Sequence, residues 1–338
     1  MNTPTGHPPP ASVPDMTLRA AVIGTGYLGR FHAQKYRNIP GVDLVAVADL
    51  DPERGQQVGE TLQVPYVQDF RNILDQVDLV SIAVPTLAHF SVAETCLKAG
   101  IHVLLEKPMT TTLAEADALI RLADQTRCLI QVGHLKRFHP AVMALRQSGR
   151  LRPCRYITSQ RLAPFKNRAL DVDVVLDLMI HDVDLILDFV GAEVTGIEAD
   201  GQALVTRHID LAQAHLQFAN GATAHVMASR VSPTATRCMQ ILQDDACISL
   251  DFISKNVHIA RRRPPAELLD EKSGEAVVAE PLSFQDHDTL EAEIRAFCNA
   301  VRLKQPPLVS GREGRKALQV VMAIRERILA KTTADGHR

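Results

Sequence analysis

Short apolar runs alternate with amphipathic stretches of helical length over the first part of the chain, from Leu18 to about Leu135. The runs carry apolar residues at consecutive positions, as strands do when helices cover both faces of their sheet. Such strands separated by helices are typical of a parallel sheet in a doubly wound α/β domain. The predicted strands lie in RAAVIG, VDLVAVAD, DLVSIAVP, IHVLLEKP and CLIQVGHL.

The pattern changes after Arg137. A long helix is predicted from Asp171 to Val190, and strand-like runs follow from about 192 to 260, with Asn220 and Gly221 as a two-residue hairpin signal. These runs predict an open, largely antiparallel sheet in a second α/β domain, and two further helical stretches complete the chain.

Charge gives no reason to expect nucleic acid or an anionic membrane as a partner, because the 37 basic and 39 acidic side chains nearly balance and the formal net charge is -2. The six cysteines are dispersed, without CxxC or a ligand spacing that includes histidine, which predicts reduced thiols and a cytoplasmic protein. The first 16 residues lack the basic flank and apolar segment of a secretory signal. No apolar run approaches the ~20 residues of a membrane helix, so a soluble protein is expected.

Gly24, Gly26 and Gly29 have GxGxxG spacing directly after the first predicted strand and open a helix. Glycine allows a tight turn, close approach of a pyrophosphate to the backbone, and close packing of helix on strand. Asp49 ends the next strand, twenty residues beyond Gly29, where a carboxylate accepts the ribose hydroxyls of a dinucleotide. A helix cap is the alternative role of Asp49. An acid there favours NAD over NADP, although the nearby Arg54 weakens this inference.

Other polar residues follow the carboxyl ends of the predicted strands, where ligands lie in an open α/β sheet. Lys107 and Glu106 end one strand, and Pro85 and Thr86 end another. A surface ion pair between Glu106 and Lys107 is the alternative to a functional lysine. The predicted cofactor-binding residues are Gly24, Thr25, Gly26, Tyr27, Leu28, Gly29, Asp49, Pro85, Thr86, His89, Glu106 and Lys107.

The predicted helix from Asp171 to Val190 carries Asp173, Asp177, His181, Asp184 and Asp188 at intervals of three and four residues, hence on one face. Because its other faces are largely apolar, the turn with Asp177 and His181 is expected to face a cleft. A solvated acidic stripe with one incidental histidine is the alternative. No metal site is predicted, since Asp182 points about 100° away from His181 on a helix.

In order along the chain, the GxGxxG turn, VPTLAH, AGIHVLLEKPM, VGHLKRFHPAV and DLMIHDVDLI resemble the Gfo/Idh/MocA oxidoreductases. The resemblance extends from Leu18 to the C terminus. It implies an N-terminal Rossmann domain, a C-terminal domain with an open sheet, and hydride transfer at a sugar or polyol carbon. It also implies that Lys107 lies beside the nicotinamide and the reacting hydroxyl.

We therefore hypothesise that Lys107, His181 and Asp177 are catalytic. Neutral histidine is basic at working pH, so His181 is the predicted proton acceptor. Asp177 is predicted to bind the other imidazole nitrogen of His181, while the Lys107 ammonium stabilises the developing alkoxide.

Within the family, VVLDLMIHDVDLIL and FANGATAHVMASRV are most similar to the bacterial UDP-N-acetylglucosamine 3-dehydrogenases. That resemblance implies a UDP-sugar substrate, oxidised at C3 on the way to a diamino-sugar lipid A. An inositol-type dehydrogenase and a non-catalytic, nucleotide-dependent regulatory protein are the alternatives. Interdomain salt bridges or a solvated basic loop are alternative roles for the basic members of the substrate set. The predicted substrate-binding residues are Lys107, Lys136, Arg137, Arg161, Lys166, Arg168, Asp177 and His181.

The predicted organisation follows from these motifs. It comprises a tail (1–17), a Rossmann domain (18–136), a substrate-binding and oligomerisation domain (137–331) and a second tail (332–338). The apolar strand AHVMA on an open sheet predicts a homodimer or homotetramer.

Overall fold

The computed structural model describes residues 17–167, 172–262 and 277–335. A six-stranded sheet in the order β3-β2-β1-β4-β5-β6 forms the first half, and all its neighbouring strands are parallel. Its elements are β1 (Leu18–Ile23), α1 (Tyr27–Asn38), β2 (Val42–Ala48), α2 (Pro52–Leu62), β3 (Tyr66–Val67), β4 (Leu79–Ile82), α3 (Thr86–Lys98), β5 (His102–Leu105), α4 (Leu113–Thr126) and β6 (Ile130–Val132).

Continuous burial explains why these strands pair in parallel. All four residues of β4 are buried, and β1 is buried from Ala20 to Ile23, so helices cover both faces of the sheet. The predicted doubly wound sheet is therefore confirmed. The edge strand β3 was not predicted, because its two residues are too short to produce a periodic signal.

An eight-stranded sheet in the order β14-β13-β12-β11-β7-β10-β9-β8 forms the second half. Its neighbouring strands are antiparallel except β7 and β10, so the predicted, largely antiparallel sheet is confirmed. Its elements are α5 (Pro140–Gln147), β7 (Tyr156–Leu162), α6 (Ile180–Val190), β8 (Val194–Gln202), β9 (Leu211–Phe218), β10 (Thr223–Ser229), β11 (Thr236–Leu242), β12 (Ala246–Asp251), β13 (Asn256–Arg262), β14 (Val277–Pro281), α7 (Thr289–Leu303) and α8 (Gly311–Asp335).

Two local predictions need correction. The helix predicted from Asp171 consists of a π-helical turn, Val175–Met179, followed by α6, and Asp171 itself lies outside the described residues. The Asn220–Gly221 hairpin is present between β9 and β10, but its loop has one more residue than predicted. Gly221, at φ +81°, donates its N–H to the Phe218 oxygen at 2.9 Å, as in hairpin loops that end with a left-handed glycine.

Alternation along β10 overturns the argument for an oligomer. Ala224, Val226 and Ala228 are fully buried on the inner face of the sheet, whereas His225 and Met227 on the other face are partly exposed. The apolar residues of AHVMA thus build the core of this chain, because successive strand residues point to opposite faces.

The last two helices join the halves. Helix α7 packs on α1, and α8 packs on both α4 and α6. Gln131 of β6 also donates from Nε2 to the main-chain oxygen of Glu293 in α7 at 3.1 Å. This packing sets the π-helical turn and α6 against the carboxyl ends of the parallel strands. Within the described ranges, we find no helix with the length and hydropathy needed to span a membrane.

Candidate active site

The turn between β1 and α1 is built around close backbone contacts. Gly24 has φ +90°, and a Cβ at Gly29 would lie 1.7 Å from the Gly24 oxygen, so neither position accepts a side chain without backbone movement. Gly26 differs, because a Cβ there would meet no atom within 4 Å. The turn therefore leaves open space at Gly26, where a phosphate group fits.

The N terminus of α1 suits an anion. Gly26 caps the helix without a side-chain hydrogen bond, and no acidic residue occupies the first turn, which begins with Tyr27 and Leu28. Unpaired amide groups and the helix dipole favour negative charge at such an end. A cavity of about 450 Å³, lined by Gly24, Gly26 and Asp49, continues from this turn over the carboxyl ends of β1 and β4.

Asp49 lies at the mouth of this cavity but is already saturated with hydrogen bonds. Its Oδ2 accepts from Thr25 N at 2.7 Å, Thr25 Oγ1 at 2.8 Å and Arg54 Nε at 3.1 Å, and its Oδ1 accepts from Arg54 Nη2 at 2.8 Å. Burial would raise the pKa of Asp49, yet the hydrogen bonds from Arg54, Asp51 and Thr25 outweigh it and lower that pKa. Thr25 thus orients Asp49 with both its donors, and ribose hydroxyls must displace Arg54 or share the carboxylate with it.

The turn from β4 to α3 offers fewer side chains to a dinucleotide than predicted. Pro85 lines the cavity and Thr86 begins α3, as expected for residues near a dinucleotide. His89 is buried, with Nδ1 2.9 Å from the Pro108 oxygen and Nε2 3.0 Å from the Val84 oxygen. Because both ring nitrogens face main-chain oxygens, His89 joins the turn before α3 to the segment after Lys107, and its predicted contact with the cofactor stays a prediction.

Glu106 is also directed away from the cavity. Its Oε1 lies 3.0 Å from His32 Nε2, and its Oε2 accepts from the Lys107 N–H at 3.2 Å. Burial raises the pKa of Glu106, but the His32 hydrogen bond and the charge of Lys107 outweigh it and lower that pKa. Glu106 is therefore a buried carboxylate behind Lys107 rather than part of a surface ion pair with it, and its predicted cofactor contact stays a prediction.

Lys107 and Asp177 come together from the two halves of the molecule. Lys107 Nζ donates to the Asp177 main-chain oxygen at 2.8 Å and to Asp177 Oδ1 at 3.1 Å. Both side chains are mostly buried, with 15% and 21% of their area exposed. The π-helical turn that carries Asp177 is of a kind found frequently at functional sites.

The predicted contact between Asp177 and His181 is not present. His181 Nδ1 is buried and has no hydrogen-bond partner among the described residues. The prediction assumed 3.6 residues per turn, and an i→i+5 turn moves Asp177 out of that register. Burial, followed by the charges of Lys107 and Arg161, lowers the pKa of His181 well below its usual value. The imidazole is therefore neutral at working pH and lies beside the Lys107 ammonium.

Two of the predicted substrate-binding residues form buried salt bridges. Arg137 donates to both carboxylate oxygens of Asp184 at 2.7 and 2.8 Å, and it also contacts Asp188. Arg161 lies in β7 and pairs with Asp182 of α6 at 2.6 Å. The donors of Arg137 and Arg161 are thus used by carboxylates of α6, and their predicted substrate contacts stay predictions that would require these salt bridges to open or to be shared. The acidic stripe is likewise buried at Asp184 rather than solvated.

Lys136 differs from Arg137 and Arg161 in having no ion-pair partner among the described residues. Its Nζ lies 5.5 Å from the Phe252 ring centroid, and no carboxylate in the described ranges lies within ion-pair distance of it. Burial, with the charges of Arg161 and Arg237, lowers the pKa of Lys136 to about 8. Arg237 was missed by the sequence reasoning; it faces Arg161 across β7 and β11 and is exposed. Only the pairing of distant strands brings these charges together.

The structure says little about the last two predicted substrate-binding residues. Lys166 is exposed in the segment after β7, and Arg168 lies outside the described residues. Over the part of the chain that the structure describes, no three His, Cys, Asp or Glu side chains are arranged to hold a metal ion. The cleft thus brings together Lys107, Asp177 and His181, with the positive charge of Lys136 nearby.

Two family models match the chain. Residues 18–134 match the model described as "Oxidoreductase family, NAD-binding Rossmann fold", and residues 141–249 match "GFO/IDH/MocA C-terminal domain".

Individual relatives agree with these matches. The chain is 42% identical to the UDP-N-acetylglucosamine 3-dehydrogenase of Acidithiobacillus ferrooxidans over 308 residues, which cover 91% of this chain and 96% of that protein. A solved structure of that dehydrogenase superimposes with a TM-score of 0.86 and 41% identity, covering 93% of this chain and 98% of the other. The scyllo-inositol 2-dehydrogenase (NAD(+)) of Bacillus subtilis is 26% identical over 90% of this chain and 92% of its own length.

Proposed function

Because the chain belongs to the Gfo/Idh/MocA oxidoreductase family, we propose that it oxidises the C3 hydroxyl of UDP-N-acetylglucosamine to a 3-keto sugar nucleotide with NAD as the oxidant. The observation that carries this proposal is the 42% identity to a UDP-N-acetylglucosamine 3-dehydrogenase over 91% of the chain. The cleft that holds Lys107, Asp177 and His181 supports it with the groups that the reaction needs.

The residues of the first half fit NAD. Open space at Gly26 and the uncapped start of α1 suit the pyrophosphate, and the cavity toward Pro85 suits the adenosine. Asp49 at its mouth disfavours a 2'-phosphate. When bound, NAD supplies the acceptor for the hydride that leaves the sugar carbon.

The residues of the cleft would divide the remaining work. Neutral His181 takes the proton from the reacting hydroxyl, since its lowered pKa keeps the ring unprotonated. The Lys107 ammonium stabilises the developing alkoxide as a preorganised donor. Asp177 holds that ammonium in place with its carboxylate and its main-chain oxygen. This role of Asp177 replaces the one predicted from the sequence, in which it fixed the tautomer of His181.

A nucleotide sugar suits the charge of this cleft better than a free polyol does. Lys136 contributes a positive charge with no carboxylate partner in the described ranges, beside Arg161 and Arg237. An inositol has no anionic group to balance that charge, whereas a UDP-sugar carries a diphosphate. We propose that Lys136 contacts this diphosphate.

The cellular setting follows from the reaction. We propose that the 3-keto product is aminated on the way to lipid A and lipopolysaccharide, and that the enzyme works in the cytoplasm. The homodimer or homotetramer expected from the sequence stays a prediction, because β10 no longer supports it. The described cysteines are free thiols, as a reducing compartment requires. Sedimentation velocity at micromolar concentration measures the oligomeric state.

The test uses purified protein with NAD and a panel of UDP-sugars, free N-acetylglucosamine and myo-inositol. NADH absorbance and product mass are followed together. We expect NADH and a product two mass units lighter than the substrate only with UDP-N-acetylglucosamine. Turnover of inositol at comparable kcat/KM would favour the polyol alternative, and no turnover with any substrate would favour a regulatory protein. The variant Lys107→Met, assayed in parallel, excludes a contaminating dehydrogenase.

A further inference from the structure

A chain of four buried polar side chains leads into the back of the active site. It joins Tyr36 and His32 of α1, Ser81 of β4 and Glu106 at the end of β5. We propose that His32 is a positioning residue for Lys107, acting through the Glu106 carboxylate. The inference rests on the proposed dehydrogenase function, because Lys107 is the group whose position matters.

Distances along the chain are all those of hydrogen bonds. Tyr36 Oη lies 2.9 Å from Ser81 Oγ, Ser81 Oγ lies 3.0 Å from His32 Nδ1, and His32 Nε2 lies 3.0 Å from Glu106 Oε1. Tyr36, Ser81 and His32 are each at most 1% exposed, and Glu106 is 9% exposed. Such buried groups depend on each other for hydrogen bonds, since water cannot replace a lost partner.

The ionised end of the chain fixes the direction of the hydrogen bond that reaches it. A carboxylate only accepts, so His32 Nε2 carries a hydrogen and donates to Glu106. Burial raises the pKa of Tyr36 well above its usual value, so its hydroxyl stays protonated and shares a hydrogen bond with Ser81. Ser81 Oγ is in turn hydrogen-bonded to His32 Nδ1, so the series is continuous from Tyr36 to Glu106.

Glu106 needs this support because it is a charge away from water. An ionised carboxylate without partners is strongly disfavoured in a protein interior. Gly133 packs against it so closely that a Cβ there would lie 3.0 Å from Glu106 Oε2, which leaves the carboxylate little room to move. His32 supplies the side-chain donor to Oε1, and the other titratable groups that face the carboxylate are the Lys107 ammonium, the buried His134 and the buried Glu293 of α7. Without His32, the carboxylate must take up a proton or turn toward the Lys107 ammonium.

Lys107 is consequently held at two points. Glu106 Oε2 accepts from its main-chain N–H at 3.2 Å, and Asp177 accepts from its ammonium at 3.1 Å. The first contact depends on His32, whereas the second comes from the other half of the molecule. If Glu106 turned toward Nζ, it would compete with Asp177 and draw the ammonium out of the cleft.

The decisive comparison is between His32→Leu and His32→Gln. Leucine removes the donor to Glu106, so the pKa of Glu106 rises and the acid limb of the kcat–pH profile moves up by about one pH unit or more. We expect kcat at pH 7 to fall roughly 10- to 100-fold, as for loss of a hydrogen bond to a charged group, with NAD affinity within twofold of wild type. Glutamine keeps a donor at the Nε2 position and should restore most of kcat and the original acid limb.

His102→Leu is the matched control for lost stability. It is the same substitution at a histidine of β5, the strand that leads to Glu106, and His102 Nδ1 accepts from the Leu129 N–H at 2.9 Å, at the end of β5 away from the cleft. A drop in Tm is expected in both leucine variants, but a moved acid limb only in His32→Leu. The proposal is overturned if a folded His32→Leu variant keeps the acid limb of the wild-type kcat–pH profile. It is also overturned if kcat of His32→Gln is as low as kcat of His32→Leu. If His32→Leu does not fold, Tyr36→Phe tests the same series of hydrogen bonds. We then expect the acid limb of the kcat–pH profile to move in the same direction by a smaller amount.

A second measurement does not depend on turnover. Trace acetylation at pH 7, quantified by mass spectrometry, compares Lys107 with the exposed Lys304 of the same chain. The reactivity of Lys107 relative to Lys304 should therefore differ between His32→Leu and wild type: a protonated Glu106 leaves Lys107 more reactive, and a carboxylate that turns toward Nζ leaves it less reactive. An unchanged ratio contradicts the positioning role. If wild-type protein oxidises no UDP-sugar, the proposed function fails while this comparison still decides the role of His32.

Discussion

Lys107 Nζ lies 2.8 Å from the main-chain oxygen of Asp177 and 3.1 Å from its carboxylate, although 70 residues separate the two in sequence. Lysine comes from the parallel sheet and aspartate from the π-helical turn before α6. The ammonium therefore has a fixed position before any substrate arrives, which is what preorganised stabilisation of an alkoxide requires.

Asp177→Asn should lower kcat while leaving NAD binding intact. The amide oxygen can still accept from Lys107, but the charge-assisted part of the interaction is lost. Since hydrogen bonds to charged groups contribute ~1.5–3 kcal/mol, we expect a loss of roughly 10- to 100-fold in kcat. Steady-state kinetics with UDP-N-acetylglucosamine and fluorescence titration with NADH measure the two effects. An unchanged kcat would mean that Lys107 keeps its position without this carboxylate.

His181→Ala should lower kcat by roughly 10²- to 10⁴-fold, the usual contribution of general acid-base catalysis. Because the pKa of His181 is lowered, the wild-type ring is the basic form throughout the neutral range and loses activity only as pH falls through that lowered pKa. The kcat–pH profile should therefore be flat from pH 6.5 to 8. A variant that keeps more than a tenth of wild-type turnover at saturating substrate would make Lys107 the candidate base.

Lys136 should make binding of the UDP-sugar sensitive to alkaline pH. Its pKa of about 8 means that the charged form is present below pH 8 and is lost as pH rises above it. The KM for UDP-N-acetylglucosamine should rise between pH 7.5 and 9 in wild type and stay constant in Lys136→Arg, whose charge does not titrate. Lys136→Gln should raise KM roughly 10- to 100-fold at pH 7 with little change in kcat. Equal KM values for all three proteins would remove Lys136 from the diphosphate site.

Gly26→Ala and Gly29→Ala should fail in different ways. A methyl group at Gly26 enters open space, so we expect a normal Tm and a dissociation constant for NADH raised about tenfold or more by contact with the pyrophosphate. A methyl group at Gly29 would lie 1.7 Å from the Gly24 oxygen, so α1 must move and Tm should fall. Thermal unfolding and NADH titration separate the two outcomes. Equal losses of Tm would show that both glycines serve packing alone.

Arg54 should set how strongly NADP is rejected. The Asp49 carboxylate favours NAD, and we expect NAD to bind at least tenfold more tightly than NADP. Arg54 lies on that carboxylate, with Nη2 2.8 Å from Oδ1, and offers the cation that a 2'-phosphate would use. Arg54→Gln should widen the preference for NAD by about another tenfold, the effect of one charge-assisted contact. Parallel titrations with NADH and NADPH measure the ratio, and an equal loss for both cofactors would place Arg54 at a shared phosphate.

Local sequence patterns were sufficient to predict the parallel sheet and the glycine turn. Continuous burial of β4 and the glycine spacing after β1 are properties of short segments, and periodicity detects them. The two-residue strand β3 and the third loop residue before Gly221 were missed, because so few residues carry no repeat.

Residues that act across the fold were harder to predict. Arg161 pairs with Asp182 because α6 packs on β7, and Arg237 lies near Lys136 because β11 pairs with β7 in the order of the second sheet. No local pattern encodes that strand order. The spacing of Asp177 and His181 implied a contact that a π-helical turn prevents, since hydrophobic periodicity does not distinguish i→i+5 from i→i+4 hydrogen bonding over one turn.

The contact between Lys107 and Asp177 also bears on how such an enzyme can change its substrate. The glycine turn and Lys107 belong to the first half, whereas His181, Arg161 and Arg237 belong to the second. Recombination near residue 137 would exchange the surface that meets the alcohol and keep the oxidant unchanged, provided that the new half again presents an acceptor to Lys107. A chimera would thus inherit its cofactor from one parent and its choice of alcohol from the other.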